Sequence, residues 1–305
     1  MDSKLKRELE AIGRDRTSGA AELALRAVRA LNAWLRRKPT ARETELMEVA
    51  RALLNAQPSM APLIRLANEV ALSVDAQASI EALAESLSLF RKVLEIAPMR
   101  IAQHFSKALR RKRQWTLATY SYSSTVLRAI CQSRKKVGIV SCSEGRPAVE
   151  GRRTARELAR MGLIVHFTTD AALTRDLCTA NVLVIGADSV RAHDHWIHFL
   201  NKVGTQALVD SARFFENPVW ILADTTKFLP RELAILSDYR ERARPAREVW
   251  TRPPRNVVVC NYYFDFVGYE TGMRVLTEKG WLKYNQLQHE LASIRVSPRL
   301  KELMN

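Results

Sequence analysis

The sequence predicts an α/β protein, with a helical N-terminal domain over residues 1–114 and a Rossmann-like domain over 115–305. The second domain is read as a mostly parallel sheet covered by helices. Three observations predict this. Apolar side chains recur at helical spacing through the first third of the chain. From WTLATYSY onward, short apolar runs alternate with amphipathic stretches, the pattern of right-handed βαβ crossovers. Polar residues also gather where those apolar runs stop, and open parallel sheets place their ligands there.

The elements follow in order. TSGAAELALRAVRALNAWL is the first clear helix, with Leu23, Ala27, Leu31 and Leu35 on one face and Thr17 or Ser18 as its cap. Pro39 and Thr40 stop it, and ARETELMEVARALLNA forms the second. Pro58 and Pro62 separate that helix from LIRLANEVALSV. A fourth helix, ASIEALAESLSLFRKVLEIA, is predicted to end at Pro98. A fifth, MRIAQHFSKALRRKRQ, places the basic run Arg110 to Arg113 in its last turn, where it suits the helix dipole. Strands are then read at WTLATYSY, VGIVSC, LIVHFTT, NVLVIGA, VWILA and NVVVCN. The intervening helices are SSTVLRAICQS, VEGRRTARELARMG closed by Gly162, AALTRDLCT and VGTQALVDSARFFE. TGMRVLTEKG is expected to be a late helix ending at Gly280, and residues 240–256 an Arg- and Pro-rich surface excursion.

Composition bounds the function. With 305 residues, 47% of them hydrophobic, the chain can bury a sizeable core. A formal charge of +16 points to an anionic partner or to an Arg-rich solubilising surface. Cys131, Cys142, Cys178 and Cys260 are scattered with no CxxC pair, which argues against a disulfide framework and a zinc site. Cys142, after an apolar run, reads as a buried strand residue. No secretory leader and no membrane-length apolar run is present, so a cytoplasmic protein is expected.

Several groups can carry chemistry. After VGIVSC come Glu144, Gly145, Arg146 and Pro147, then Glu150, Gly151, Arg152 and Arg153 at a helix start. Free N–H groups, the dipole and bidentate guanidinium groups there suit a phosphate. An ion pair between Glu144 and Arg146 fits the same residues. Asp188 follows a buried strand through Gly186 and Ala187, in position for acid–base work or for a structural cap. Asn201, Lys202, Gly204 and Thr205 enter a helix and form either an anion site or an ordinary cap. His193, His195 and His198 lack a second ligand group and read as a polar loop rather than a metal site. No dinucleotide fingerprint, phosphate-binding P-loop or serine-hydrolase elbow occurs, and no cofactor is expected.

Together SEGRPAVEGRRTAREL, GADSV, NKVGTQALVDSA and the later NYYFDF and TGMRVLTEKG resemble one family. It joins the alpha, beta and delta subunits of initiation factor 2B to isomerases of ribose 1,5-bisphosphate and methylthioribose 1-phosphate. QPSMAPLIRLANEVA extends the resemblance into the helical half. It implies dimerisation through the C-terminal domain. It also implies that the isomerase Asp falls on Asp188, and the substrate-holding Asn-Lys pair on Asn201 and Lys202. The isomerase Thr-His-Cys-Asn stretch is matched by Thr119-Tyr120-Ser121-Tyr122, so Ser121 stands where the catalytic thiol should be. An Arg-Gly-Ala appears as Ser18-Gly19-Ala20 and an Arg-Pro-Thr-Ala as Gln57-Pro58-Ser59-Met60, each without the cation.

The sequence therefore favours a non-catalytic binder of a phosphorylated sugar or nucleotide. Arg146, Glu150, Gly151, Arg152, Asp188, Asn201 and Lys202 would hold the ligand, and the protein would act through protein partners in translation initiation or metabolite sensing. The alternative is an aldose–ketose isomerase of a sugar 1-phosphate, with Asp188 catalytic and another group replacing the thiol. A third reading is an RNA- or ribosome-associated basic protein. A homodimer is expected, and no membrane partner.

Overall fold

In the computed structural model, residues 1–15, 18–110, 114–193, 196–236 and 245–302 are described. The chain opens with five helices: α1 (Ser3–Arg14), α2 (Ala20–Arg37), α3 (Glu43–Ala56), α4 (Ala61–Asp75) and α5 (Ile80–Ala108). Helix α1, which the apolar periodicity did not single out, begins at Asp2, whose carboxylate accepts the Leu5 N–H at 2.8 Å. Leu23, Ala27, Leu31 and Leu35 of α2 are buried, as their spacing predicts, in a core shared with α1, α3, α4 and the first half of α5. Ser18 does not cap α2. Its backbone and hydroxyl bond to Asp15, and Gly19 takes the cap position with no side-chain bond. Thr17, the other expected cap, lies outside the described residues.

Pro98 does not end a helix. It sits inside α5, because a buried stripe of Leu87, Phe90, Leu94, Ala97, Ile101 and Phe105 continues across it. Burial of those side chains, roughly 1.5–3 kcal/mol each, outweighs the cost of about 3 kcal/mol of an internal proline. The helix ends at Ala108, so Arg110 lies beyond its last turn, while Arg111 to Arg113 lie outside the described residues.

The second half alternates as expected: β1 (Trp115–Ala118), α6 (Ser124–Gln132), β2 (Val137–Ser143), α7 (Gly151–Arg160), β3 (Ile164–Thr168), α8 (Asp170–Asp176) and β4 (Val182–Gly186). Then come β5 (Ser189–His193), β6 (Trp196–Lys202), α9 (Thr205–Phe214), β7 (Val219–Leu222), β8 (Phe228–Leu229) and α10 (Arg231–Leu236). The chain closes with β9 (Phe264–Gly268), β10 (Met273–Thr277), β11 (Gly280–Leu282), α11 (Tyr284–Ala292) and α12 (Pro298–Glu302). The main sheet has seven strands in the order β11-β10-β7-β4-β1-β2-β3, parallel except where β10 meets β11. It is an α/β fold with a helical N-terminal region and a helix-covered, mostly parallel sheet.

Three readings are corrected by the sheets. TGMRVLTEKG forms two strands, not a helix. Val275 and Leu276 are both fully buried, pointing to opposite faces of an interior strand, and Gly280 at φ 115° makes the tight turn into β11. NVVVCN is not a strand; Val258 is 87% exposed, and pairing begins only at Phe264. The histidine segment is a hairpin, β5–β6, in a second sheet of order β8-β5-β6-β9. His195 lies outside the described residues, as do residues 240–244 of the Arg- and Pro-rich stretch. The rest of that stretch, from 245, holds a short turn at Ala246–Glu248 with Trp250 exposed.

The C-terminal segment returns to the helical half. Asn68 donates to the Arg295 carbonyl at 2.9 Å and accepts from the Ser297 N–H at 3.0 Å. Leu300 is buried in the core of the helical half.

Candidate functional site at the strand ends

Strands β1, β2 and β4 end side by side, and their exits bring Ser121, Glu150 and Asp188 to one corner of the fold. Ser121 leaves β1 with φ 62°, a conformation few side chains adopt. Its carbonyl is held by the Thr154 hydroxyl at 2.7 Å, and its own hydroxyl donates to Glu150 Oε1 at 3.0 Å. The same oxygen lies 2.8 Å from Lys202 Nζ. Lys202 is buried at the end of β6, with the Tyr263 ring 4.5 Å from its ammonium. The second carboxylate oxygen of Glu150, Oε2, is buried and has no hydrogen-bond partner. Gly151 makes this packing feasible. A Cβ there would sit 1.7 Å from the Ser143 carbonyl oxygen.

Asp188 follows β4, and its N–H is fixed to the Leu200 carbonyl at 2.8 Å. Loss of hydration pushes its carboxyl above the ordinary carboxylate range, and the nearby Lys227 and Lys202 charges oppose that shift. Lys227 is buried and donates to the Ala187 carbonyl at 2.6 Å. Asp188 lines a pocket of about 130 Å³ whose other walls include Glu22, Ser121, Tyr122, Arg153 and Lys227. The first turn of α2 and the start of α6, at Ser124 and Thr125, form part of the lining.

The residues expected to bind a ligand are distributed unevenly around this pocket. Asp188 and Asn201 line it. Glu150 and Lys202 stand behind Ser121, paired with each other. Arg146 and Arg152 are exposed and are not among the lining residues, and Gly151 is buried beneath the turn. The turn after β2 is itself occupied by a protein carboxylate. Asp170 accepts from the N–H groups of Gly145 and Arg146 at 2.8 and 2.7 Å. The start of α9 is occupied in the same way, since Asp265 accepts from the N–H groups of Gly204 and Gln206 at 2.8 and 3.2 Å. Asn201 donates to Thr205 Oγ1 at 3.2 Å.

Thr154 and Lys227 escaped the sequence reading, and Arg153 and Tyr122, though named in it, were not read as a stacked pair. Arg153 caps the pocket by stacking 4.0 Å above the Tyr122 ring while pairing with Glu157 at 2.9 Å. Adjacent arginines on a helix point about 100° apart, and sequence alone does not decide which faces the pocket. Lys227 carried a signal, because it follows the apolar run VWIL at a strand end. Cys142 is buried in β2, and burial pushes its thiol up to about 12. His193 and His198 pack edge to face at 6.3 Å, and no group of three metal-capable side chains occurs among the described residues.

Residues 16–284 match the sequence model of the initiation factor 2 subunit family. The chain belongs to that family. It is 26% identical to the ribose 1,5-bisphosphate isomerase of Archaeoglobus fulgidus over 92% of this chain and 89% of that protein. It is 27% identical to a putative translation initiation factor eIF-2B subunit 2-like protein of Pyrococcus horikoshii over 89% of this chain and 94% of that one. Among solved structures, the P. horikoshii translation initiation factor eIF-2B superposes with a TM-score of 0.77 at 24% identity, covering 92% of this chain and 98% of that one. The 5-methylthioribose 1-phosphate isomerase of P. horikoshii superposes at 0.66 with 18% identity, covering 99% and 88%. The family thus contains both factor-like proteins and sugar-phosphate isomerases. No helix among the described residues is long and apolar enough to cross a membrane.

Proposed function

We propose that this protein is an aldose–ketose isomerase of a sugar 1-phosphate, bound in the pocket between the first turn of α2 and the ends of the parallel strands. The observation that carries the proposal is Asp188, a carboxyl of raised proton affinity on the wall of a polar pocket. A base tuned upward by burial is suited to moving a proton between neighbouring carbons near neutral pH. Arg153 and Lys227 supply positive charge for the phosphate, opposed by Glu22 in the first turn of α2. The similarity to a named ribose 1,5-bisphosphate isomerase across most of both chains supports the same class.

In this reaction the C2–H bond breaks and its electrons form a C1–C2 double bond as the ring C1–O bond breaks. The proton from C2 goes to Asp188 and is returned to C1. The C2 hydroxyl loses its proton as the ketone forms, and the ring oxygen gains one. No oxidant is consumed.

The test is incubation with ribose 1,5-bisphosphate and with methylthioribose 1-phosphate, following the ketose by NMR. Turnover that Asp188→Asn removes is the expected result. A second reading is favoured by Ser121, which stands where the related isomerases carry a thiol: a binder of phosphorylated sugars or nucleotides that acts through protein partners. Thermal stabilisation by those ligands, with no turnover of either substrate, would sink the isomerase in favour of the binder.

A further inference from the structure

We infer that Ser121, backed by Glu150 and Lys202, relays the oxygen-bound protons of this isomerisation. The inference rests on the isomerase reading and deepens it.

A serine hydroxyl is too weak an acid to act as a free anion at neutral pH, so it is unsuited to attack a carbon-bound hydrogen. A hydroxyl is well suited to a different task, because it accepts one proton while donating another. The reaction needs that task once: a proton leaves the C2 oxygen and a proton reaches the ring oxygen. Ser121 lies on the pocket wall with Asp188, and its hydroxyl already points its proton at Glu150 Oε1, 3.0 Å away. As the ring C1–O bond breaks, Ser121 Oγ gives its proton to the ring oxygen and takes the proton of the C2 hydroxyl in the same step, so it is a hydroxyl before and after, and the Glu150 carboxylate holds it in place. Asp188 carries the carbon-bound proton throughout, so the two circuits are separate and each closes on itself.

The surroundings fit the assignment. Lys202 sits 2.8 Å from the same Glu150 oxygen, which fixes the carboxylate and balances its charge. The other Glu150 oxygen is buried without a partner, an arrangement a purely structural ion pair has no need of. Ser121 is held at φ 62°, with its carbonyl pinned by Thr154. Strained backbone of this kind is found where a side chain must be aimed. Ser121 is thus the catalytic residue, and Glu150 is a positioning residue that acts through it.

The experiment compares wild type, Ser121→Ala, Glu150→Gln and the double variant with both sugar 1-phosphates. Each single change should lower kcat by roughly 10²-fold or more with KM changed by less than about threefold; Ser121→Ala should melt near wild type, while Glu150→Gln, which leaves the buried Lys202 without its counter-charge, should melt lower. The double variant should lose no more than either single one, because the two residues form one relay. Multiplying losses, unchanged kcat, or a loss confined to KM would each overturn the relay while leaving the isomerase standing. Absence of turnover by the wild-type protein would overturn both. Should Glu150→Gln fold poorly, Ser121→Ala alone decides, since alanine keeps the backbone class that serine occupies.

Discussion

Asp188 is held in a site that disfavours its charge, and this has a cost in stability. Burial pushes its carboxyl above the ordinary carboxylate range, so the folded state holds the proton more tightly than the unfolded chain. Such a group contributes fully below its unfolded pKa and loses that contribution as pH rises through the folded value. Asp188→Asn is neutral at every pH and escapes the loss. The variant should therefore melt higher than wild type at pH 7, with the difference closing as pH falls toward 4. Thermal unfolding across that range checks it, and a variant less stable than wild type at pH 7 would contradict the burial argument. The same substitution should abolish turnover, separating stability from activity at one carboxyl. A second prediction at this scale concerns Gly151. With a Cβ due 1.7 Å from the Ser143 carbonyl, Gly151→Ala must displace backbone. It should cost about 3 kcal/mol or more in urea unfolding and should misplace Glu150 with it.

At the scale of elements, the helices and central strands were legible because each carries one strong period. Leu23, Ala27, Leu31 and Leu35 mark α2, and the apolar runs VGIVSC and NVLVIG mark β2 and β4. What failed were segments whose local signals conflict with their packing. TGMRVLTEKG has a glycine at each end and reads as a capped helix, yet its apolar centre fills an interior strand beside β7. NVVVCN has strand composition but finds no partner strand in the described structure. In the site, Asp188 carried a signal as a carboxylate after a buried strand, whereas Asn201 and Lys202, read as entering a helix, end strand β6, with Asn201 on the pocket wall and Lys202 behind Ser121. That Asp170 and Asp265 fill the expected anion turns was not legible, since both lie far along the chain from the N–H groups they accept from. Pro98 offers the element-scale prediction. Its ring denies α5 one internal hydrogen bond, and packing holds the helix together regardless. Pro98→Ala should stabilise the protein by about 2 kcal/mol, the cost of an internal proline less the entropy it removes from the unfolded chain. An unchanged or lower urea midpoint would show that the proline ring is itself part of the packing.

At the scale of the whole molecule, the pocket exists only because the two halves are locked together. Its lining includes the first turn of α2 together with strand ends of the parallel sheet. Helix α5 joins the cores, with Leu83 to Leu94 in the helical one and Ala97 to Phe105 under the sheet. Leu229, Leu233 and Leu300, all from the second half of the chain, are buried in the helical core. Asn68 ties the returning C-terminal segment to α4 through two backbone bonds, with its side chain fully buried. Removing that amide leaves two backbone groups without partners, at about 1–3 kcal/mol for each group that stays dry. Asn68→Ala should therefore lower stability by about 2 kcal/mol, and Leu300→Ala by about 3 kcal/mol through the cavity it leaves. Both variants should still unfold in one transition, with circular dichroism and tryptophan fluorescence coinciding, because neither half keeps a complete core without the other. Two separated transitions in either variant would mean that the helical half and the sheet fold on their own, and that the pocket between them is an interface rather than part of a common core.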